Sequence, residues 1–115
     1  MENLLSQVVN ATDNCIYVKD GNLRFLFVNS AVSRLYEADA ESMIGKSDVD
    51  FISSEQSALF NDADRRVIDT GVKEFFRFEI EIKGVIYSAE DHKFPVEIDG
   101  SRCVAGIGIL TPKTN

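Results

Sequence analysis

A chain of 115 residues with 44% apolar and 27% charged side chains is sized for one domain with its own core. Nineteen acidic residues against twelve basic ones leave a net charge of −7, which argues against direct contact with nucleic acid or an anionic membrane. Cys15 and Cys103 lie far apart without CxxC spacing, the first residues lack a basic leader, and no apolar run nears the ~18 residues of a bilayer span, so a cytoplasmic setting with free thiols is expected.

Leu4, Leu5, Val8 and Val9 form one apolar stripe and predict a short amphipathic helix over residues 2–11. Cys15–Lys19 predicts a strand, in which Ile16 and Val18 alternate with Tyr17 and Lys19. Asp20-Gly21-Asn22 predicts a turn using the positive φ that Gly and Asn tolerate. Arg24–Val28 is a second strand, apolar on both faces through Phe25, Leu26, Phe27 and Val28. Asn29 is placed to cap a helix over Ser30–Tyr36. Residues 37–52 read as irregular with one or two short helical turns, anchored by Met43, Ile44, Val49, Phe51 and Ile52.

Ser53 and Gln56 predict a capping box at the head of a long helix, Ser54–Thr70, which Gly71 ends. From Lys73 the period changes to two, with Phe76, Phe78, Ile80 and Ile82 on one face. Val85–Ile98 predicts a long strand with a bulge near Asp91–Pro95, since proline brings no amide donor. Cys103–Leu110 is the last strand; its Gly106 and Gly108 leave room for a close approach of backbone or ligand. The order β-β-α-α-α-β-β-β predicts an α+β fold with an antiparallel sheet covered on one face by helices.

Chemistry-bearing patterns are sparse. His92 is the only histidine, and no metal-ligating cluster, nucleophile elbow or phosphate loop is present. The carboxylates Glu79, Glu81, Glu90, Asp91, Glu97 and Asp99 read as a solvated sheet face. No catalytic residue and no metal site is expected.

Four stretches in order resemble the PAS domain family: Ile16–Gly21 with Phe25–Ala31, Met43–Asp48, Asp64–Gly71, and Lys93–Val96 with Asp99-Gly100 and Val104–Ile107. The resemblance implies a PAS-like five-stranded antiparallel sheet in the order 2-1-5-4-3, with helices packed on one face. It divides the chain into an N-terminal helix and connector at 1–14, a PAS domain at 15–111 and a tail at 112–115 leading towards an output module. It further implies a sensory input domain of a two-component histidine kinase or a diguanylate cyclase, non-catalytic itself and covalently joined to its output. Haem-binding members carry a histidine on the long helix, and Ser54–Thr70 has none. Photoadduct-forming flavin members carry a cysteine after the short helices, and Ile44–Ile52 has none. Haem and a covalent flavin adduct are thereby disfavoured, and the cofactor stays unknown. The terminal Asp-Ile-Thr of many signalling members is replaced by Ile109-Leu110-Thr111.

The family pocket between sheet and long helix draws its candidate lining from Ile16, Val18, Phe27, Leu35, Ile44, Phe60, Val67, Phe78, Ile80 and Val104, with Tyr36, Tyr87, Ser88 and Arg77 as polar candidates. Two readings stay open: a pocket that takes a small ligand, and a filled core in a module that acts through dimerisation. Leu4, Leu5, Val8 and Val9 are the candidate homodimer contacts.

Overall fold

The computed structural model describes residues 2–113. Helix α1 (Glu2–Ala11) leads into strands β1 (Cys15–Lys19) and β2 (Phe25–Val28). Helices α2 (Ser30–Tyr36) and α3 (Ala40–Met43), a 3-10 turn (Asp48–Asp50) and α4 (Ser54–Thr70) follow, then β3 (Glu74–Ile82), β4 (Val85–Ile98) and β5 (Ser101–Pro112). The strands form one antiparallel sheet in the order β2-β1-β5-β4-β3, with α2 against β1 and α4 across β3, β4 and β5.

Local chemistry accounts for the element ends. Asn29 is fully buried, and its Oδ1 accepts from the amides of Ile16 (3.0 Å) and Val32 (3.3 Å). Its Nδ2 donates to the carbonyls of Val9 (2.7 Å) and Asn14 (2.9 Å), so one amide caps α2 and ties α1 and β1 to it. Ser53 caps α4 through the Gln56 amide, but the reciprocal half of the expected box is missing: the Gln56 side chain accepts from the Glu81 amide at 2.8 Å instead. Gly71 ends α4 at φ 69°, in the left-handed region.

The first hairpin turns differently from expectation. Positive φ falls on Leu23 (62°), not on Gly21 or Asn22. The Asp20 carboxylate organises the turn by accepting from the amides of Asn22 and Arg24. The bulge expected near Asp91–Pro95 is also absent, since β4 pairs with β5 without a slip from Tyr87↔Pro112 to Ile98↔Ser101. Pro95 is accommodated because β3 begins at Glu74, opposite Lys93, so β4 is an edge beyond that point and needs no donor there. The register irregularity sits between β1 and β2, at Val18 and Lys19.

Strand parity decides what faces the helices. In β1 the buried side chains are Cys15, Tyr17 and Lys19, and Ile16 and Val18 are the half-buried ones. In β4 they are Ala89, Asp91 and Lys93. Cross-strand partners share a face, so Tyr17 and Lys93 both lie over Gly106, and Cys15 and Asp91 flank Gly108. Gly106 has no alternative: a Cβ there would sit 2.1 Å from the Tyr17 hydroxyl. The far side of the sheet carries Phe27, Phe75, Ile86, Ile107 and Ile109, all partly open to solvent.

Candidate functional site

Beneath the helices lies an ionic network rather than a purely apolar core. Lys19, Asp48, Asp64, Asp91 and Lys93 are each no more than 2% exposed. The Lys19 ammonium donates to Asp48 and, at 2.5 Å, to Asp64 Oδ2. Lys93 Nζ donates to Asp64 Oδ1 at 2.6 Å and to the Tyr17 hydroxyl, and lies 3.2 Å from Asp91 Oδ2. Tyr17 Oη in turn donates to the Asp91 carboxylate, with both carboxylate oxygens within 3.2 Å, and Tyr36 Oη donates to Asp48 Oδ1 at 2.7 Å. Asp64 on α4 thus clasps a lysine from β1 and a lysine from β4, locking the long helix onto both halves of the sheet.

Burial alone disfavours every charge here, so the partners decide which survive. Burial pushes the Asp64 carboxyl up, but Lys19 and Lys93 outweigh it and hold the group below its usual range. Burial pulls the Lys19 ammonium down, and Asp48 and Asp64 more than reverse it. Burial raises Tyr17 and Tyr36 well above ordinary phenols, with Asp64 and Asp91 adding to the first and Asp48 to the second. Burial, aided by Asp91, pushes the Cys15 thiol up to about 12, so it is an inert neutral group. The network brings together three carboxyl side chains and two lysines.

A cavity of about 30 Å³ adjoins the network. Its walls include Cys15, Tyr17 and Lys19 of β1, Tyr36 of α2, Asp48 of the 3-10 turn, Phe60 of α4 and Asp91 of β4. The aromatic rings crowd the cations: Lys19 Nζ lies 5.2 Å from the Phe25 centroid, and Lys93 Nζ 4.8 Å from that of Tyr17. By size the space holds about two waters.

Of the ten lining candidates from the sequence, Leu35 and Phe60 border this cavity. Val67, Ile80 and Val104 are fully buried but do not border it, and Phe78 packs edge-on against Phe60 at 5.3 Å. Ile16, Val18 and Phe27 are corrected to the opposite face of the sheet, because Tyr17, Lys19 and Phe25 take the inward parity. Ile44 is corrected to the surface, at 45% exposure beyond the end of α3. Asp91, read as part of a solvated face, is buried, since its position on β4 puts it opposite Gly108 under the helices. Among the polar candidates Tyr36 reaches the cavity, whereas Arg77 points outward within 3.5 Å of Glu90. His92 is an exposed strand residue packed against Phe75, with centroids 4.5 Å apart and the rings tilted by 54°.

Sequence reasoning missed Lys19, Asp48, Asp64 and Lys93. One signal was present: Gly106 and Gly108 two apart in a strand marked a close approach, and the groups approaching are Tyr17 and Asp91. On α1, Leu4, Leu5 and Val8 are exposed, while Val9 is half-buried with its carbonyl held by Asn29.

A family model described as the PAS fold matches residues 9–115. Among curated proteins, a methanogenesis regulatory histidine kinase, FilI, of Methanothrix harundinacea is 31% identical over 61 residues, which is 53% of this chain and 7% of that protein. A diguanylate cyclase of Vibrio cholerae is 32% identical over 63 residues, 55% of this chain and 20% of that protein. The matched stretches thus span a small part of the relatives. Among solved structures, Vibrio cholerae VqmA in a complex with ligand and DNA superposes with a TM-score of 0.82 at 22% identity, over 96% of this chain and 51% of that one. A PAS domain from a two-component sensor histidine kinase superposes with a TM-score of 0.73 at 18% identity, over 96% of both chains. These superpositions carry the fold and no more.

Proposed function

The chain belongs to the PAS fold family, and on that premise we propose that it is the sensory input domain of a larger signalling protein of the histidine kinase or diguanylate cyclase type, taking a small ligand in the cavity beside the ionic network. The observation that carries this reading is the cavity itself, an apolar space bordered by aromatic rings with the Lys19, Asp48 and Asp91 side chains in its wall. Small-molecule pockets are lined mainly by apolar and aromatic side chains. The network also offers a route outward, because Asp64 and Asp48 join the cavity to α4 and to the segment before it. A ligand that displaced any of these partners would change how α4 sits on the sheet. The similarity to FilI and to a diguanylate cyclase favours an output by phosphotransfer or cyclic dinucleotide synthesis in other domains, with this domain regulating rather than catalysing. VqmA, which shares the fold, has been solved bound to a ligand, DPO.

Native mass spectrometry of protein purified from cells tests the reading. A reproducible added mass is expected, and it should be that of a very small molecule, because the space holds about two waters. Bare protein, together with no thermal stabilisation across a metabolite panel, would sink it.

A second reading rests on a different observation. Leu4, Leu5 and Val8 are 59–65% exposed along one side of α1, an apolar stripe left largely uncovered by the described residues. It supports a dimerisation module with a filled core, and VqmA has been described as a dimer. A concentration series in the analytical ultracentrifuge showing a strict monomer would remove it.

A further inference from the structure

The two edges of the sheet are closed unequally. At one edge β2 is shielded by the chain itself: the Phe25 amide donates to the Lys46 carbonyl and the Gly45 amide to the Phe25 carbonyl, both at 2.8 Å. At the other edge β3 has only β4 beside it. The turn after β3 fixes which of its backbone groups are used. Lys83 and Gly84 both have positive φ, at 52° and 83°, as in the two-residue hairpin turn whose flanking residues, here Ile82 and Val85, exchange both backbone bonds. Alternation along the ladder then gives the even-numbered residues of β3 to β4. It turns the amides and carbonyls of Phe75, Arg77, Glu79 and Glu81 outward. The Glu81 amide agrees with this parity, since it donates to the Gln56 side chain at 2.8 Å and not to β4. Among the described residues the other outward groups have no hydrogen-bond partner.

Such a row is a template for another strand, and charge normally guards it. Here the charges alternate in sign. The side chains of Arg77 and Glu79 are 74% and 59% exposed, and their contacts with Glu90 at 3.5 Å and Lys113 at 2.6 Å are surface pairs of small worth. A second copy running antiparallel about Phe78 matches this row. In that register all of β3 is paired, Arg77 of each copy stands opposite Glu79 of the other, and these two residues exchange both backbone bonds. On the helix side Phe78 meets its own counterpart and Phe76 meets Ile80; both phenylalanines are half-buried and have apolar surface left to cover. Sliding the second copy by two residues either way sets Arg77 opposite Arg77 or Glu79 opposite Glu79, and like charges directly opposite are destabilising.

We propose that β3 is a self-complementary edge through which two copies of this chain join antiparallel, centred on Phe78, into one continuous sheet. The contact lies at the opposite edge of the sheet from the β1–β2 hairpin, to which α1 is tied, and it is independent of the ligand reading.

Charge exchange between two variants of the full chain tests the register. Arg77→Glu and Glu79→Arg, each alone, bring like charges together and should each weaken self-association on the order of tenfold in sedimentation. An equimolar mixture of the two variants restores opposite charges at both places and should sediment as a dimer. Recovery in the mixture also excludes misfolding as the cause of the loss. In the unsubstituted chain the amides of Phe75, Arg77 and Glu79 should exchange with deuterium more slowly as concentration rises. A mixture that sediments no differently from its separate components overturns the proposal, and so does a strictly monomeric parent chain. Exchange at these amides that ignores concentration, in a sample sedimenting as a dimer, overturns it as well. A dimer lost with Leu5→Ser and Val8→Ser but indifferent to both charge variants keeps the α1 reading and removes this one.

Discussion

The two faces of the sheet invert the usual distribution of polarity. On the helix side, five charged side chains are sealed from water around Tyr17 and Tyr36. On the far side, Phe27, Phe75, Ile86, Ile107 and Ile109 stand 37–44% exposed. The charged face is the more costly to break, because each ion there has given up its hydration and depends on its partners. The apolar face carries less intramolecular stability, since its side chains are still in contact with water. Conformational response is therefore expected to originate on the charged side, and association with another chain on exposed apolar surface such as the stripe of α1.

The sharpest way to break this contrast is to remove one ion. Lys93→Met leaves Asp64 and Asp91, each no more than 2% exposed, with one cation fewer. Loss of one partner of a buried pair costs about 3–5 kcal/mol. Urea denaturation should show that loss as a lower midpoint at an unchanged slope. A change below about 1 kcal/mol, the range of surface ion pairs, would mean that water enters the network and that the site is not sealed. Asp64→Asn removes the residue that both lysines share and should fall in the same range as Lys93→Met.

The same groups set the dependence on pH. Asp64 is held below its unfolded value of 3.8, so its contribution is complete above that value and is lost as pH falls through the folded value. Lys19 is raised above 10.5, so its contribution is complete below that value and fades as pH rises towards the folded one. The buried thiol of Cys15 and the phenols of Tyr17 and Tyr36 act in the same alkaline direction. Their unfolded forms ionise from about 9 and 10 while the folded forms keep their protons. Stability should be level between about pH 5 and 8.5, falling on both sides. Thermal melts against pH check this, and Asp64→Asn should remove most of the slope between pH 4 and the folded value of that group. An acid limb of equal slope in that variant would assign it to other carboxylates.

The inversion also explains what was readable in advance. Element order, the caps at Asn29 and Gly71 and the period-two pattern of β3 are local signals, and the structure has them where the sequence places them. Face assignment is not local when both parities of a strand carry one bulky polar or aromatic set and one aliphatic set. In Cys15–Lys19 the aliphatic pair Ile16 and Val18 looks like the core, yet Tyr17 and Lys19 win because Asp48, Asp64 and Asp91 come to meet them from three other elements. Those partners are 29 to 74 residues away along the chain, beyond the reach of any periodicity. Phe60 and Leu35 were legible as cavity-facing because helix periodicity needs no distant partner to fix it.

The smallest expected change in monomer stability comes from the exposed apolar surfaces, where a null result is as informative as a shift. Leu5 and Val8 on α1 are 65% and 61% exposed, and Ile107 and Ile109 on β5 are 39% and 44% exposed. Substituting serine at the α1 pair removes apolar surface that is still largely wet, so the urea midpoint of the monomer should move by no more than about 0.5 kcal/mol equivalent. The β5 pair is more than half covered, and its substitution should cost about 1–2 kcal/mol. Sedimentation then separates the two surfaces. If α1 carries the contact between copies, Leu5→Ser with Val8→Ser lowers the dimer fraction at a fixed concentration, and Ile107→Ser with Ile109→Ser leaves it unchanged. The reverse pattern would move the contact to the sheet. A midpoint shift of several kcal/mol from the β5 pair would show that those side chains are buried in the working state of the protein, and the contrast between a sealed charged face and an open apolar one would fail.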